Sequence, residues 1–205
     1  MNATTSLITP ELIATGIDYP AYRMLVDDLM AEGKTTGENH SEDYLKYTQL
    51  GITRMNRLDK TTKLSPELMA ALDQVKTKIT WLVMVEAWCG DVGQNLPVMG
   101  KMVKYTPNIE LRIIMRDENP DIINAYLTSG GKSVPKLVVL RSDTLEELGT
   151  WGPRPVPAQA MVMEHKADPQ EPYMEFVKKV QLWYARDKSK TMMQEFTEFV
   201  NSWTA

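Results

Sequence analysis

The sequence predicts an α/β fold, with a mixed central sheet flanked by helices and extra helices at both ends. Three observations predict it. Residues 79–85 read Ile-Thr-Trp-Leu-Val-Met-Val, apolar on both faces as only a strand covered on both sides is. From there the segments run strand, helix, strand, helix, strand, strand, helix, an order that gives a parallel portion and an antiparallel edge hairpin. Before and after this block lie helical patterns whose starts are marked by proline and capping residues.

Thr9-Pro10 and Tyr19-Pro20 each read as a helix start, because proline is well tolerated at the first helical position. The second opens a helix over Ala21 to Ala31 that stops at Gly33. Ser41 is the expected N-cap of a longer helix from Glu42 to about Leu58, with Leu45, Leu50, Ile52, Met55 and Leu58 near helical spacing. Ser65-Pro66-Glu67 repeats the signal and opens a third helix to about Val75. The first 77 residues are therefore read as a helical extension.

The strand at Ile79–Val85 leads into Trp88-Cys89-Gly90-Asp91-Val92. A helix is expected from Gln94 to Tyr105, with Pro97 inside it. Ile109 to Met115 is a second strand, Asp117-Glu118-Asn119-Pro120 a turn, and Asp121 to about Thr128 a helix ended by Gly130-Gly131. Lys136 to Leu140 and Glu146 to Thr150 are the hairpin strands, reversed through Arg141-Ser142-Asp143-Thr144. The proline-rich stretch Trp151-Gly152-Pro153-Arg154-Pro155-Val156-Pro157 is a connector into helices at about Ala158 to His165 and Glu171 to Trp203. In the last of these, Trp183, Tyr184, Phe196, Phe199 and Trp203 recur at near-helical intervals, and this aromatic face is expected to pack on the domain. The chain is thus read as extension 1–77, core 78–152 and C-terminal helices 153–205, together one domain.

Composition narrows the function. The 205 residues are 43% hydrophobic and 24% charged with a net charge of −4, as in an ordinary globular protein. Scattered Lys and Arg on an acidic chain give no general attraction to phosphate backbones or anionic lipid, so neither nucleic acid nor membrane is an expected partner. No signal or transit pattern opens the sequence, and one cysteine allows no internal disulfide, so the cytoplasm is the expected compartment. With that one cysteine and with His40 and His165 far apart, no ligand spacing reads as a metal site, and no cofactor is expected.

Chemistry gathers at Cys89. A thiol just beyond the carboxyl end of the first strand, at a helix N-terminus, meets unsatisfied N–H groups and the positive end of the macrodipole. Both favour the thiolate, the nucleophilic form. Asp91, two residues on, opposes them.

Taken together, Trp88-Cys89-Gly90-Asp91 at a strand-to-helix turn, Pro97 eight positions after the cysteine and Val134-Pro135 forty-six after it resemble the thioredoxin superfamily. The turn Asp117-Glu118-Asn119-Pro120 is similar to the one after the second thioredoxin strand. The helical flanks look like those of a bacterial group of thioredoxin-like proteins. The resemblance implies a thioredoxin fold with Pro135 as a cis-proline facing the thiol, and with the Val134 backbone free to bind an extended peptide. Ser133-Val134-Pro135 is also similar to the Thr-Val-Pro with which glutaredoxins hold glutathione.

Three departures from the family pattern bear on function. Val92 stands where the second cysteine is expected, so an attacked disulfide cannot be resolved within the chain and dithiol oxidoreductase chemistry is excluded. Val83 stands where thioredoxins carry a buried acid. The nearest carboxylate is Glu86, three residues before the cysteine, a candidate proton acceptor.

The expected catalytic residues are therefore Cys89 and Glu86, and the expected substrate-binding residues Trp88, Gly90, Asp91, Val92, Val134 and Pro135. The expected reaction is monothiol exchange on a protein or glutathione disulfide, completed by an external thiol reductant. Two alternatives stand beside it: a non-catalytic protein-binding module, and a redox sensor that forms an intermolecular disulfide.

Overall fold

In the computed structural model, which describes residues 7–204, the proline-led helices are capped by the oxygens that precede them. Thr9 Oγ1 accepts from the Leu12 N–H at 3.2 Å and opens α1 (Pro10–Thr15). Asp18 Oδ1 accepts from the Ala21 N–H at 2.8 Å and opens α2 (Tyr19–Ala31). Ser65 Oγ accepts from the Leu68 N–H at 3.2 Å and opens α4 (Pro66–Leu72), which is shorter than its sequence pattern. Ser41 stands at the N-cap of α3 (Glu42–Thr61), but its side chain makes no capping bond, and Glu42 and Asp43 meet the helix dipole instead.

The sheet comprises β1 (Ile79–Val85), β2 (Ile109–Met115), β3 (Lys136–Arg141) and β4 (Glu147–Trp151), in the order β2-β1-β3-β4. β1 pairs in parallel with β2, Val83 opposite Ile113, and antiparallel with β3, Val83 opposite Leu137. The β3–β4 hairpin is antiparallel and shifts register between Val139 and Leu140. Every residue of β1 is buried, which accounts for its nearly continuous apolar run; the one polar residue, Thr80, shares a hydrogen bond with the Ser142 hydroxyl at 2.8 Å. Beyond β2, Ile17 exchanges backbone hydrogen bonds with Ile113 at 3.0 and 2.8 Å, so the N-terminal extension is tied to the sheet edge.

The remaining helices are α5 (Gly90–Tyr105), α6 (Pro120–Ala125), α7 (Val156–Ala167), α8 (Tyr173–Asp187) and α9 (Lys190–Thr204). Three differ from their sequence patterns. α5 starts at Gly90 rather than Gln94, because extended Cys89 serves as its N-cap. α6 ends at Ala125 rather than near Thr128: Tyr126 leaves helical backbone, and Thr128 and Gly131 close a bridged turn of their own. The single helix expected over Glu171 to Trp203 is two, because Lys188 and Ser189 both take left-handed backbone, at φ 54° and 62°, and turn the chain. Periodicity could not reveal that break, since neither residue is Gly, Asn or Pro.

The expected aromatic face is correspondingly divided. Phe196 of α9 is fully buried against Trp81 and Trp151, with ring centroids 5.4 and 5.0 Å away. Trp183 and Tyr184 of α8 belong to a small separate cluster with Val162, Phe176 and Val180.

Two glycine positions set the geometry near Cys89. A Cβ on Gly93 of α5 would lie 3.1 Å from the Cα of Gly51 in α3, so the two helices touch backbone to backbone beside the first turn of α5. Gly152 takes φ +112°, and a Cβ there would lie 2.2 Å from the Pro135 carbonyl oxygen. Gly152→Ala is therefore expected to cost roughly 2 kcal/mol or more through backbone strain and collision, visible as a lower urea midpoint.

Candidate functional site

The thiol sits where β1 hands over to α5. The Cys89 N–H donates to the Glu86 carbonyl at 3.0 Å, closing the turn, and the Cys89 carbonyl accepts from the Gly93 N–H at 3.2 Å. Cys89 is half-buried, and its Sγ–H donates to the Val134 carbonyl at 3.1 Å. The Val134-Pro135 bond is cis and faces the thiol, as the resemblance implied. The thiol therefore occupies the Val134 carbonyl, one part of the backbone expected to be free.

Burial pushes the Cys89 thiol up to about 11, and the Asp91 carboxylate adds to the rise. The N–H groups of Val92 and Asp91 and the Arg154 cation pull the other way and are outweighed. The helix-terminus argument is sound in sign, but desolvation is larger here. Below its pKa the thiolate fraction rises tenfold per pH unit. Alkylation of native Cys89 by iodoacetamide is accordingly expected to accelerate about tenfold per unit from pH 7 to 10. A plateau beginning below pH 9 would contradict this environment.

Beneath the thiol lies a buried polar network. The Asp91 carboxylate pairs with Arg154 Nη2 at 2.8 Å and accepts from the Tyr184 hydroxyl at 2.9 Å. Asn95 Nδ2 donates to the Tyr184 oxygen at 3.1 Å and to the Pro153 carbonyl at 3.3 Å. Burial raises the Asp91 pKa while Arg154 and Tyr184 hold it down. Asp91, expected to bind substrate, is thus committed to Arg154 and Tyr184. Gln94 adds a further tie to α8 by donating to Gln181 at 2.8 Å.

Glu86 is fully buried, and both its oxygens are taken: the Thr36 hydroxyl donates to one, and the Asp117 N–H to the other at 2.9 Å. Thr36 in turn accepts from the Ala87 N–H at 2.8 Å. The carboxylate expected to accept a proton from the thiol is instead a tie between the N-terminal extension, the end of β1 and the turn after β2. Burial raises its pKa, and these hydrogen bonds oppose the rise.

Cys89 opens on a cavity of about 1150 Å³ between α3, the start of α5, the Lys132–Val134 loop, α7 and α8. Trp88, Gly90, Asp91 and Val134 line it, whereas Glu86, Val92 and Pro135 do not. Val92 is buried in the core instead. Trp88 forms part of the wall, with the Tyr44 ring centroid 4.9 Å from its own and the Arg116 guanidinium carbon 4.9 Å from that centroid. Such a site offers a nucleophilic sulfur, an aromatic wall and nearby cations to a molecule that enters.

Sequence reasoning missed Tyr44, Arg54, Arg116, Arg154 and Tyr184. Tyr44, Tyr47 and Arg54 fall on one helical face at intervals of three and seven, a stripe legible beside the apolar one. Arg154 stands among prolines in a stretch read only as a connector. Among the described residues no group of His, Cys, Asp and Glu is arranged to hold a metal, and no helix is long and apolar enough to cross a membrane.

A family model described as thioredoxin matches residues 37–170, about two thirds of the chain. Among solved structures, a protein of unknown function from Pseudomonas aeruginosa superimposes with a TM-score of 0.61 at 18% identity, covering 95% of this chain and 98% of that one. An HIV epitope scaffold superimposes with a TM-score of 0.59 at 19% identity, covering 93% and 96%. At such identities these two share the fold with this chain. No curated protein matches it.

Proposed function

The chain belongs to the thioredoxin family, and on that premise we propose that it carries out monothiol thiol–disulfide exchange through Cys89. The observation that carries the reading is a lone thiol at the N-cap of α5, 3.1 Å from the Val134 carbonyl, in the wall of a cavity large enough for a substrate. In the first step the thiol loses its proton, and the thiolate attacks one sulfur of a disulfide, on a protein or on glutathione. A Cys89 mixed disulfide forms as the old S–S bond breaks, and the leaving thiolate takes up a proton. An external thiol, such as glutathione, then attacks the mixed disulfide, restores Cys89 and carries away the other half. The N–H groups of Asp91 and Val92 favour negative charge on sulfur, while Trp88 and Val134 flank the incoming group. The cytoplasm, which supplies free thiol, is the setting such chemistry needs.

With a thiol pKa near 11 the thiolate is about 10⁻⁴ of the protein at pH 7, against a few per cent for free cysteine. Turnover is therefore expected to be slow at neutral pH and to rise with pH. The same observation favours a second reading, a non-catalytic binding module whose thiol is held protonated. No observation at the site favours a redox-sensing dimer beside these two readings.

Reduction of a glutathionylated peptide in excess glutathione separates the two readings. Cys89→Ser is expected to reduce the catalysed rate to background. An unchanged rate would remove the exchange reading, and an absent rate in the unaltered protein would leave the binding module.

A further inference from the structure

The helices outside the core bring cations to an acidic protein's cavity. The chain carries a net charge of −4, yet Lys46 and Arg54 of α3, Arg116, Lys132, Lys166 of α7 and Lys178 of α8 all line the space beside Cys89. Among the described lining residues Asp91 is the sole acid, and Arg154 already neutralises it. Arg116 pairs with Asp117 and Lys178 with Glu175. Lys46, Arg54, Lys132 and Lys166 have no ion-pair partner among the described residues.

Arg54 is the most informative of these. It is half-buried, none of its nitrogens donates to a described acceptor, and its Nη1 lies 3.4 Å from where a Cβ on Gly90 would stand, next to the thiol's own turn. Its guanidinium is partly desolvated and feels the Asp91 carboxylate from beyond ion-pair distance, so it keeps donors free for a further anion, and α3 is fixed beside the thiol's turn by its backbone contact at Gly51 and Gly93. Between the cations the walls are apolar and aromatic, with Tyr44, Leu50, Trp88, Val162 and Phe176. A concave space of about 1150 Å³, slightly above the usual range of small-ligand sites, suits a compact molecule better than the face of a folded protein.

We propose that this cavity binds a small amphipathic thiol or disulfide carrying two or more carboxylate or phosphate groups, with Arg54 as the anion-binding residue nearest the sulfur chemistry. This deepens the exchange reading and rests on it for the identity of the reacting group. The charged groups meet Arg54, Lys46, Lys132 and Lys166, the body lies along the Tyr44–Trp88 wall, and a sulfur of the ligand meets Cys89. Carboxylates and phosphates are both served by the planar fork of an arginine and by lysine ammonium groups.

The test uses the full chain with Cys89→Ser, so that binding is read without chemistry. Titrations with glutathione disulfide, which bears carboxylates, and coenzyme A disulfide, which bears phosphates, are compared with neutral bis(2-hydroxyethyl) disulfide. At least one anionic disulfide is expected to bind about tenfold or more tighter than the neutral one and to weaken as salt rises to about 0.3 M. Which of the two binds decides between carboxylate and phosphate. Adding Arg54→Gln is expected to weaken that binding about tenfold. Lys166→Glu, at an exposed position, is expected to weaken it without disturbing the fold. Equal binding of the neutral disulfide, no binding of either anionic one, or binding only of an acidic protein segment would overturn the proposal. Anion binding without turnover in the unaltered protein would leave it standing while removing the exchange reading. Turnover of a glutathionylated peptide without anion binding would do the reverse.

Discussion

Arg154→Met is expected to lower the stability of the protein by about 3–5 kcal/mol, because it leaves the Asp91 carboxylate charged and unpaired beneath the thiol. Only 17% of the Arg154 side chain and 10% of the Asp91 side chain reach solvent, so water from the cavity replaces the lost partner only in part. Tyr184 would remain as a hydrogen-bond donor and Arg54 as a more distant cation, but neither forms an ion pair with the carboxylate. For a domain of this size the loss corresponds to a melting temperature lower by about 10 °C. Arg154 also pulls the Cys89 pKa down, so the alkylation profile of the variant is expected to move to still higher pH. The double variant Asp91→Asn/Arg154→Met removes both charges and is expected to recover most of the stability, because a buried pair is worth little against a neutral replacement. A single variant within about 1 kcal/mol of the parent would show that the pair is better solvated than its burial indicates.

The second large effect is expected at the C-terminus. Phe196→Ala should cost about 3–5 kcal/mol, the range for emptying a large aromatic side chain from a closed core. Phe196 has no exposed surface and closes over Trp81 of the central strand and Trp151 at the end of β4. α9 packs alongside α4, whose Leu68 and Leu72 are fully buried in the same core. Urea unfolding measures this directly, and one cooperative transition with a lower midpoint is the expected form. A cost under about 1 kcal/mol would make α9 an appendage rather than part of the core.

These cases also show how far the sequence could be read. β1 was legible as a strand, because one buried on both faces is apolar almost throughout. The order of elements and the spacing of Cys89, Pro97 and Pro135 carried the fold, because those residues act through local backbone geometry. The junction of α8 and α9 was not legible: Lys188 and Ser189 adopt left-handed backbone that their side chains do not advertise.

At the site, the position of the thiol was legible and its ionisation was not. Helix-terminus stabilisation is local and could be foreseen, but the burial that outweighs it depends on how α3 and the C-terminal helices close around Cys89. In sequence Asp91 stands as a lone carboxylate opposing the thiolate, yet Arg154 and Tyr184 reach it from beyond the sheet, Tyr184 from 93 positions away. Along the chain Glu86 lies only three residues from Cys89. Its true partners, Thr36 and the Asp117 N–H, come from 50 and 31 positions away. Long-range partners of this kind leave no periodic signal, whereas the Tyr44, Tyr47, Arg54 stripe did leave one.

The central claim is that Cys89 is a competent if restrained nucleophile, and intact-mass analysis tests it directly because the chain holds no other cysteine. Native protein incubated with glutathione disulfide at about pH 9, where the thiolate fraction is far above its neutral value, is expected to gain one glutathionyl group. The adduct should be absent from Cys89→Ser and lost again on addition of excess thiol. A native chain that takes up nothing, while the urea-unfolded chain is modified at once under the same conditions, would contradict the account.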